Sequence, residues 1–366
     1  MKYYIIAGEA SGDLHGSNLI KEIKNIDGNA QVRCWGGDKM QAAGGTLVKH
    51  YRDLAFMGFV EVIKNLPAIL RNIRFCKEDI RAFNPDVVVL IDYPGFNMRI
   101  AQWAKEQGYK TAFYISPQVW AWKEGRVKQI KKYVDKMLVI FPFEKKFYEK
   151  WNYKVSYVGH PLVPVIKSFI HKHPQLKKDA RKVALLPGSR RQEIALKLPV
   201  MLEATRQFAD LKFVVAQAPG MESEFYDRFL KDYKNVQLNS DAYSILMQSD
   251  AAVVTSGTAT LETALFKVPE IVCYKTGNIS YEIGKWLIKL KFICIVNLIM
   301  NKEVVKELIQ HELTPQNIAK NLNEILYNED RRNQILEDYS ALEALLADEG
   351  NASANAAQEI VEIANP

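Results

Sequence analysis

A two-domain α/β fold built on parallel sheets is the architecture this sequence predicts, and three observations carry it. Apolar runs of buried-strand type recur along the chain: Tyr3 to Ala7, Val87 to Ile91, Thr111 to Ile115, Val183 to Leu186 and Asp250 to Thr255. Several of them break into a small-residue loop and then an amphipathic segment, the strand, loop, helix unit of a doubly wound sheet. The third is length, since 366 residues favour two cores over one.

With 48% hydrophobic and 25% charged residues the composition is that of a globular protein, which excludes a disordered chain. The net charge of +7 is modest, but Lys123 to Lys154 is densely basic and the tail from Glu337 is acidic. That asymmetry points to an anionic surface or substrate near the first half. Cys34, Cys76, Cys273 and Cys294 show no metal-ligand spacing, and the expectation is a reduced, cytoplasmic protein without a metal. The opening run is too short for a signal-peptide core. Leu54 to Leu70 and Ile283 to Met300 are apolar but interrupted by charges, so they can lie on a membrane and not span it.

The first domain is expected over residues 1–165. Tyr3 to Ala7 feeds Gly8-Glu9-Ala10-Ser11-Gly12-Asp13 and a helix from about Leu14. Glycines let a ligand approach the backbone, and Ser11 and Asp13 can bind sugar hydroxyls; a structural turn capped by Asp13 is the alternative. The loop is neither the GxGxxG fingerprint nor a Gly-Lys-Ser phosphate loop. Phe56, Met57, Phe59, Val60, Ile63, Leu66 and Ile69 crowd helical faces, for the core or for a membrane. Val87 to Ile91 ends at Asp92, before Tyr93-Pro94-Gly95-Phe96-Asn97. An acid there points into a ligand crevice, which makes Asp92 the candidate general base, against the reading of an Asp satisfied by its own turn. Thr111 to Ile115 opens into Ser116-Pro117-Gln118-Val119-Trp120-Ala121-Trp122, where two tryptophans and Gln118 imply a ligand or partner. Arg126 to Leu138 reads as a helix with a basic face, and Met137 to Phe141 as a strand. His160, between Gly159 and Pro161, reads as a turn residue, with a linker from Lys167 to Lys182.

The second domain is expected over residues 175–340. Val183 to Leu186 runs into Pro187-Gly188-Ser189-Arg190 and a helix from Arg191, so loop amides, helix N-terminus and Arg190 form an anion site. A helix cap by Ser189 with a solvated Arg-Arg pair is the alternative. Leu211 to Ala216 is a further strand. After Asp250 to Thr255 come Ser256-Gly257-Thr258-Ala259-Thr260-Leu261-Glu262, whose amides suit a diphosphate and whose Glu262 can hold a ribose, with helix capping as the competing account. Pro269 to Tyr274 and Ile293 to Val296 are expected as strands, with Asn297 at the cleft edge. The chain from Pro315 is helical, and no tandem repeat is present.

Taken together, GEASGD (Gly8 to Asp13), MGFVEV from Met57, IDYPGFN (Ile91 to Asn97), ISPQVWAW (Ile115 to Trp122), VGHPL (Val158 to Leu162), LLPGSRRQEI, SGTATLE and NLIMNKEVVKELIQ (Asn297 to Gln310) resemble the lipid-A-disaccharide synthase family of bacterial glycosyltransferases. They stand in family order over nearly the whole chain. The resemblance implies a GT-B fold, two Rossmann-like domains facing a central cleft, with a final helix of about 340–366 crossing back to the first. It implies an inverting reaction in which UDP-2,3-diacylglucosamine and 2,3-diacylglucosamine 1-phosphate give lipid A disaccharide 1-phosphate and UDP, without cofactor or metal.

In that frame Asp92 and Arg190 are the catalytic candidates, and Gly188, Ser189, Arg190, Ser256, Gly257, Thr258, Thr260, Glu262 and Asn297 the UDP site. Glu9, Ser11, Asp13, Asn97 and Gln118 are acceptor candidates. The Phe56 to Ile69 stripe would dock on the anionic inner face of the inner membrane, with no nucleic acid as partner; a homodimer is compatible. The rivals are another GT-B enzyme, such as a UDP-N-acetylglucosamine epimerase, and a non-catalytic nucleotide-sugar or lipid-binding module.

Overall fold

Strands covered by helices on both faces must be apolar at nearly every position. That holds for β1 (Lys2–Ala7) and β4 (Val87–Ile91), where Tyr3 to Ala7 and all of β4 are buried. The computed structural model describes residues 1–54, 66–122, 124–277 and 291–365, and the chain divides into two units, Met1–Pro161 with Leu346–Pro366, and Leu162–Leu345.

In the first unit β2 (Gln31–Gly36), β3 (Thr46–His50), β5 (Lys110–Tyr114), β6 (Lys136–Val139) and β7 (Ser156–Tyr157) complete a parallel sheet of order β3-β2-β1-β4-β5-β6-β7. The direction of winding reverses between β1 and β4, the switch point at which such sheets bind ligands. Beneath it Trp35 donates to the Tyr4 hydroxyl at 2.8 Å, and that hydroxyl donates to Asp79 at 2.6 Å. Arg33 grips the same carboxylate with two nitrogens, so this buried acid is fully paired. Helix Ala352–Ala364 lies against helix Ala10–Ile26, where buried Ala352, Ala356 and Ala357 let the two helices approach closely. Asn351 donates to Glu22, Asn355 donates to the Val158 carbonyl, and Lys136 pairs with Glu359.

The second unit repeats the topology. Its strands are β8 (Asp179–Leu186), β9 (Lys212–Ala216), β10 (Val236–Asn239), β11 (Ser249–Thr255), β12 (Glu270–Tyr274) and β13 (Lys306–Ile309), parallel and in the order β10-β9-β8-β11-β12-β13. Here the switch point lies between β8 and β11. Both sheets are Rossmann-like, in agreement with the fold class read from the sequence.

Some element boundaries differ from expectation. Ile293 to Val296 is not a strand, because the amides of Ile293 and Cys294 donate to the Glu307 carboxylate, at 2.9 and 3.0 Å, and a helix, Ile295–Met300, follows. The edge strand is β13 instead. The linker from Lys167 to Lys182 is largely ordered, as the end of helix Leu162–Lys172 and the start of β8. The helix after Arg126 stops at Tyr133, and β6 takes Lys136 onward. His160 is buried, and its amide donates to the Leu346 carbonyl, as suits a turn residue. Of the apolar stripe, Phe56, Met57, Phe59, Val60 and Ile63 lie outside the described residues; Leu66 opens helix Leu66–Phe83, and Ile69 packs against the core. Among the described residues no helix is long and apolar enough to cross a membrane.

Candidate active site

At the first switch point Ala7 pairs with Ile91, so the segments leaving β1 and β4 emerge side by side. One carries Glu9 and the other Asp92. The chain turns sharply there, for Asp92 and Tyr93 both adopt left-handed backbone, with φ of 43° and 48°. Two successive non-glycine residues in that region store strain, which concentrates at functional sites. Gly8 makes the turn possible: a Cβ on it would stand 2.3 Å from the Tyr93 ring. Tyr93 stacks on Phe96 and donates to the Leu54 carbonyl, which fixes the base of the turn.

Asp92 is half-buried. Burial, and then the Glu9 carboxylate, push its pKa up to about 6, although the Tyr93 amide pulls the other way. A carboxyl with that pKa is ionised at neutral pH yet more basic than an ordinary aspartate, as a general base requires.

Two of the polar residues assigned to ligands in this unit, and one tryptophan of the Ser116–Trp122 loop, do structural work. Asn97 is fully buried, and its amide nitrogen donates to the carbonyls of Ile6, Ile91 and Asp92. Through that nitrogen it clamps the ends of β1 and β4, while its buried Oδ1 has no hydrogen-bond partner among the described residues. Asp13 accepts from the amides of Gly37, Lys39 and Met40, and so caps the short helix Asp38–Ala42. Trp120 donates to Glu144 and packs edge-on against Phe143, so it anchors its turn. Ser11 and Gln118 remain exposed, and Glu9 is half-buried.

Glu144 was not legible as a site residue. It also accepts from the amides of Ile140 and Phe141, and burial raises its pKa to about 7. Beside it Ser116 and Tyr148 share a hydrogen bond of 2.7 Å. The Ser116–Trp120 turn is therefore held from below by a buried acid.

The second switch point is built from backbone. Leu186 pairs with Val254, which brings the Pro187–Arg190 and Ser256–Gly257 loops together. Gly188 has φ of 126° and Gly257 of 155°, conformations that L side chains rarely adopt. Glu193 accepts from the Ser189 amide and faces Arg190 at 3.5 Å, while the Arg190 side chain stays 55% exposed. Arg190 occupies the N-cap position of helix Arg191–Thr205, where the helix dipole favours an anion.

Thr258 is exposed and Ser256 half-buried, but Thr260 is fully buried and donates to the Gly257 carbonyl, so it closes the loop instead of meeting a nucleotide. Asn297 is likewise a clamp. Its nitrogen donates to the Val305 carbonyl and Glu307, and its oxygen accepts from the amides of Val304 and Val305, which fills its capacity. Glu262 is half-buried, and burial raises its pKa. It accepts from Tyr243 at 2.8 Å, and Tyr243 is wedged against Phe169 and Phe266. Tyr243 thus orients the acid, a role invisible in sequence because the partners lie nineteen residues apart.

Chemically, one switch point offers a proton acceptor and the other an anion site. Comparison with known proteins identifies the family. The family described as "Lipid-A-disaccharide synthetase" matches residues 3–363. A lipid-A-disaccharide synthase of Coxiella burnetii (strain RSA 331 / Henzerling II) is 39% identical over 365 residues, covering 97% of this chain and 96% of the relative. One from Syntrophus aciditrophicus (strain SB) is 41% identical over 350 residues, covering 92% and 91%.

Solved structures share the fold at low identity. UDP-GlcNAc 2-epimerase from Neisseria meningitidis, bound to UDP-GlcNAc, superposes with a TM-score of 0.67 at 15% identity, covering 99% of both chains. The glycotransferase of kitacinnamycin gives 0.66 at 14%, covering 99% and 98%. Those likenesses establish the GT-B fold, whereas the full-length sequence matches decide among its activities: the chain belongs to the lipid-A-disaccharide synthase family, glycosyltransferases of lipid A biosynthesis.

Proposed function

We propose that the protein transfers 2,3-diacylglucosamine from UDP to the 6-hydroxyl of 2,3-diacylglucosamine 1-phosphate, forming a β-1,6-linked disaccharide 1-phosphate and UDP. The observation that carries the reading is Asp92, a half-buried carboxyl at the switch point whose pKa is raised to about 6. Asp92 takes the proton of the 6-hydroxyl as its oxygen bonds to the donor's anomeric carbon. The bond from that carbon to UDP breaks, and its electron pair leaves on the β-phosphate oxygen. Attack from the face opposite UDP converts an α-linked donor into a β product through an oxocarbenium-like transition state.

Arg190 and the amides around Ser189 and Gly257 receive the departing diphosphate, with Ser256 and Thr258 beside it. Glu262, held by Tyr243, takes the ribose hydroxyls. Glu9, Ser11 and Gln118 contact the acceptor. Acylated substrates bring the protein to the anionic inner face of the inner membrane. Helix Leu66–Phe83 supports that location, with Leu70 52% and Phe75 44% exposed next to the exposed Arg71 and Arg74. A homodimer is compatible with this reading and is not required by it.

The test is UDP release by purified protein with both acylated substrates, with each omitted, and with UDP-N-acetylglucosamine as unacylated donor. Release that needs both acylated partners is expected. Release from UDP-N-acetylglucosamine alone, or none with any pair, would overturn the assignment.

A further inference from the structure

A cavity of about 220 Å³ opens in the first unit beside the Asp92 turn. Its wall is apolar: Met98 from helix Pro94–Glu106, Pro117 and Val119 from the turn above Glu144, and Ile130 from helix Val127–Tyr133. Arg99, Arg126 and Gln129 supply its polar side chains, and among the described residues no carboxylate lines it. Arg99 is exposed and forms neither an ion pair nor a side-chain hydrogen bond among the described residues. Gly95, also in the lining, sits in the first turn of a 13-residue helix, where backbone amides lack helical acceptors.

Two guanidinium groups in a hollow whose described lining holds no carboxylate are matched by a compact dianion with several acceptor oxygens, which a phosphate monoester is. The apolar wall adds a requirement: the phosphate belongs to a molecule with carbon to bury. We propose that this cavity holds the phosphate of the acceptor, with Arg99 and Arg126 on its oxygens. The inference rests on the function proposed above. Pro94 and Gly95 stand two and three residues after Asp92 in the chain, and Asp92 must touch the acceptor's hydroxyl. A phosphate seated here therefore orients the acceptor toward its base, whereas the donor's diphosphate belongs to the loops of the second unit. The volume is below the ~300 Å³ at which pockets enclose whole ligands. The cavity takes a head group, and the acyl chains leave it.

The experiment is a cycle that removes the phosphate from the ligand and the cation from the protein. kcat/KM is measured for wild type, Arg99→Ala and Arg126→Ala, with the acceptor 1-phosphate and with the same diacylglucosamine lacking phosphate. Each variant should lose about tenfold or more with the phosphorylated acceptor, the scale of a charge-assisted contact. It should lose little with the dephosphorylated one, and the KM for the donor should not move. Equal losses with both acceptors would overturn the proposal.

Partition onto phosphatidylcholine vesicles containing phosphatidylglycerol should be unchanged in Arg99→Ala. Lost partition together with equal kinetic losses would assign the cavity to bilayer phosphates and overturn the proposal. Binding of glucosamine 1-phosphate, measured calorimetrically, separates this inference from the reaction. Wild-type binding that Arg99→Ala abolishes supports the cavity even if neither acceptor turns over, while binding that survives in the variant removes it.

Discussion

At the ends of β1 and β4 the first unit presents two carboxylates, Glu9 and Asp92; at the ends of β8 and β11 the second presents Gly188, Ser189, Gly257 and the guanidinium of Arg190. The strand order around both places is the same. One set of strand ends thus collects negative charge, with Asp92 held by strained non-glycine backbone, and the other collects positive potential from amides, a helix N-terminus and one arginine. Topology supplies the crevice, and a handful of loop residues decide whether it moves a proton or holds an anion.

If the division of labour is real, changes in the two places should be separable by what they disturb. Asp92→Asn should lower kcat by about a hundredfold or more, the scale of a lost general base, and leave UDP affinity intact. Single-turnover kinetics and UDP titration read both; a near-normal rate would take Asp92 out of the mechanism. Arg190→Ala should cost about 1.5 to 3 kcal/mol, a loss of roughly 10- to 150-fold in kcat/KM for the donor, and should weaken UDP itself. Unchanged UDP affinity would break the comparison from the other side.

Tyr243→Phe leaves Glu262 without its hydroxyl partner and should cost about 0.5 to 1.5 kcal/mol, seen as a severalfold rise in donor KM with kcat nearly constant. A fall in kcat at unchanged KM would refute the orienting role. Glu9→Gln should change the rate least above pH 7 and act on the pH profile instead. Burial and the Glu9 carboxylate raise Asp92 to about 6, so activity should rise with pH through that value as the base ionises. Removing Glu9 deletes one of the two causes and should move the acid limb to lower pH. An unmoved limb would mean that burial alone sets it.

The strand ends and glycine loops were legible because a strand, a glycine turn and a capped helix are written within a dozen consecutive residues. Legibility ended where the partner is distant. Asp13, Asn97 and Asn297 have the side chains of ligand-binding residues, and only the tertiary neighbours show that backbone groups already engage Asp13, Asn297 and the nitrogen of Asn97. Glu144 and Tyr243 are the converse, side chains of ordinary appearance whose hydrogen bonds support functional turns. Nor does any residue type announce left-handed backbone at Asp92 and Tyr93, since neither is glycine.

The closing helix of the first unit, Ala352–Ala364, has a consequence for how the protein is made. Residues 1–161 are translated before the second unit, but the part of their sheet at β4, β5 and β6 lacks this helix until Ala352–Ala364 emerges. Domains usually fold in the order of synthesis. Here the unit begun first can be completed only after the whole of the other has been translated, so one of its apolar faces waits longest for cover, and a chain stopped before Leu346 would strand the half that holds Asp92.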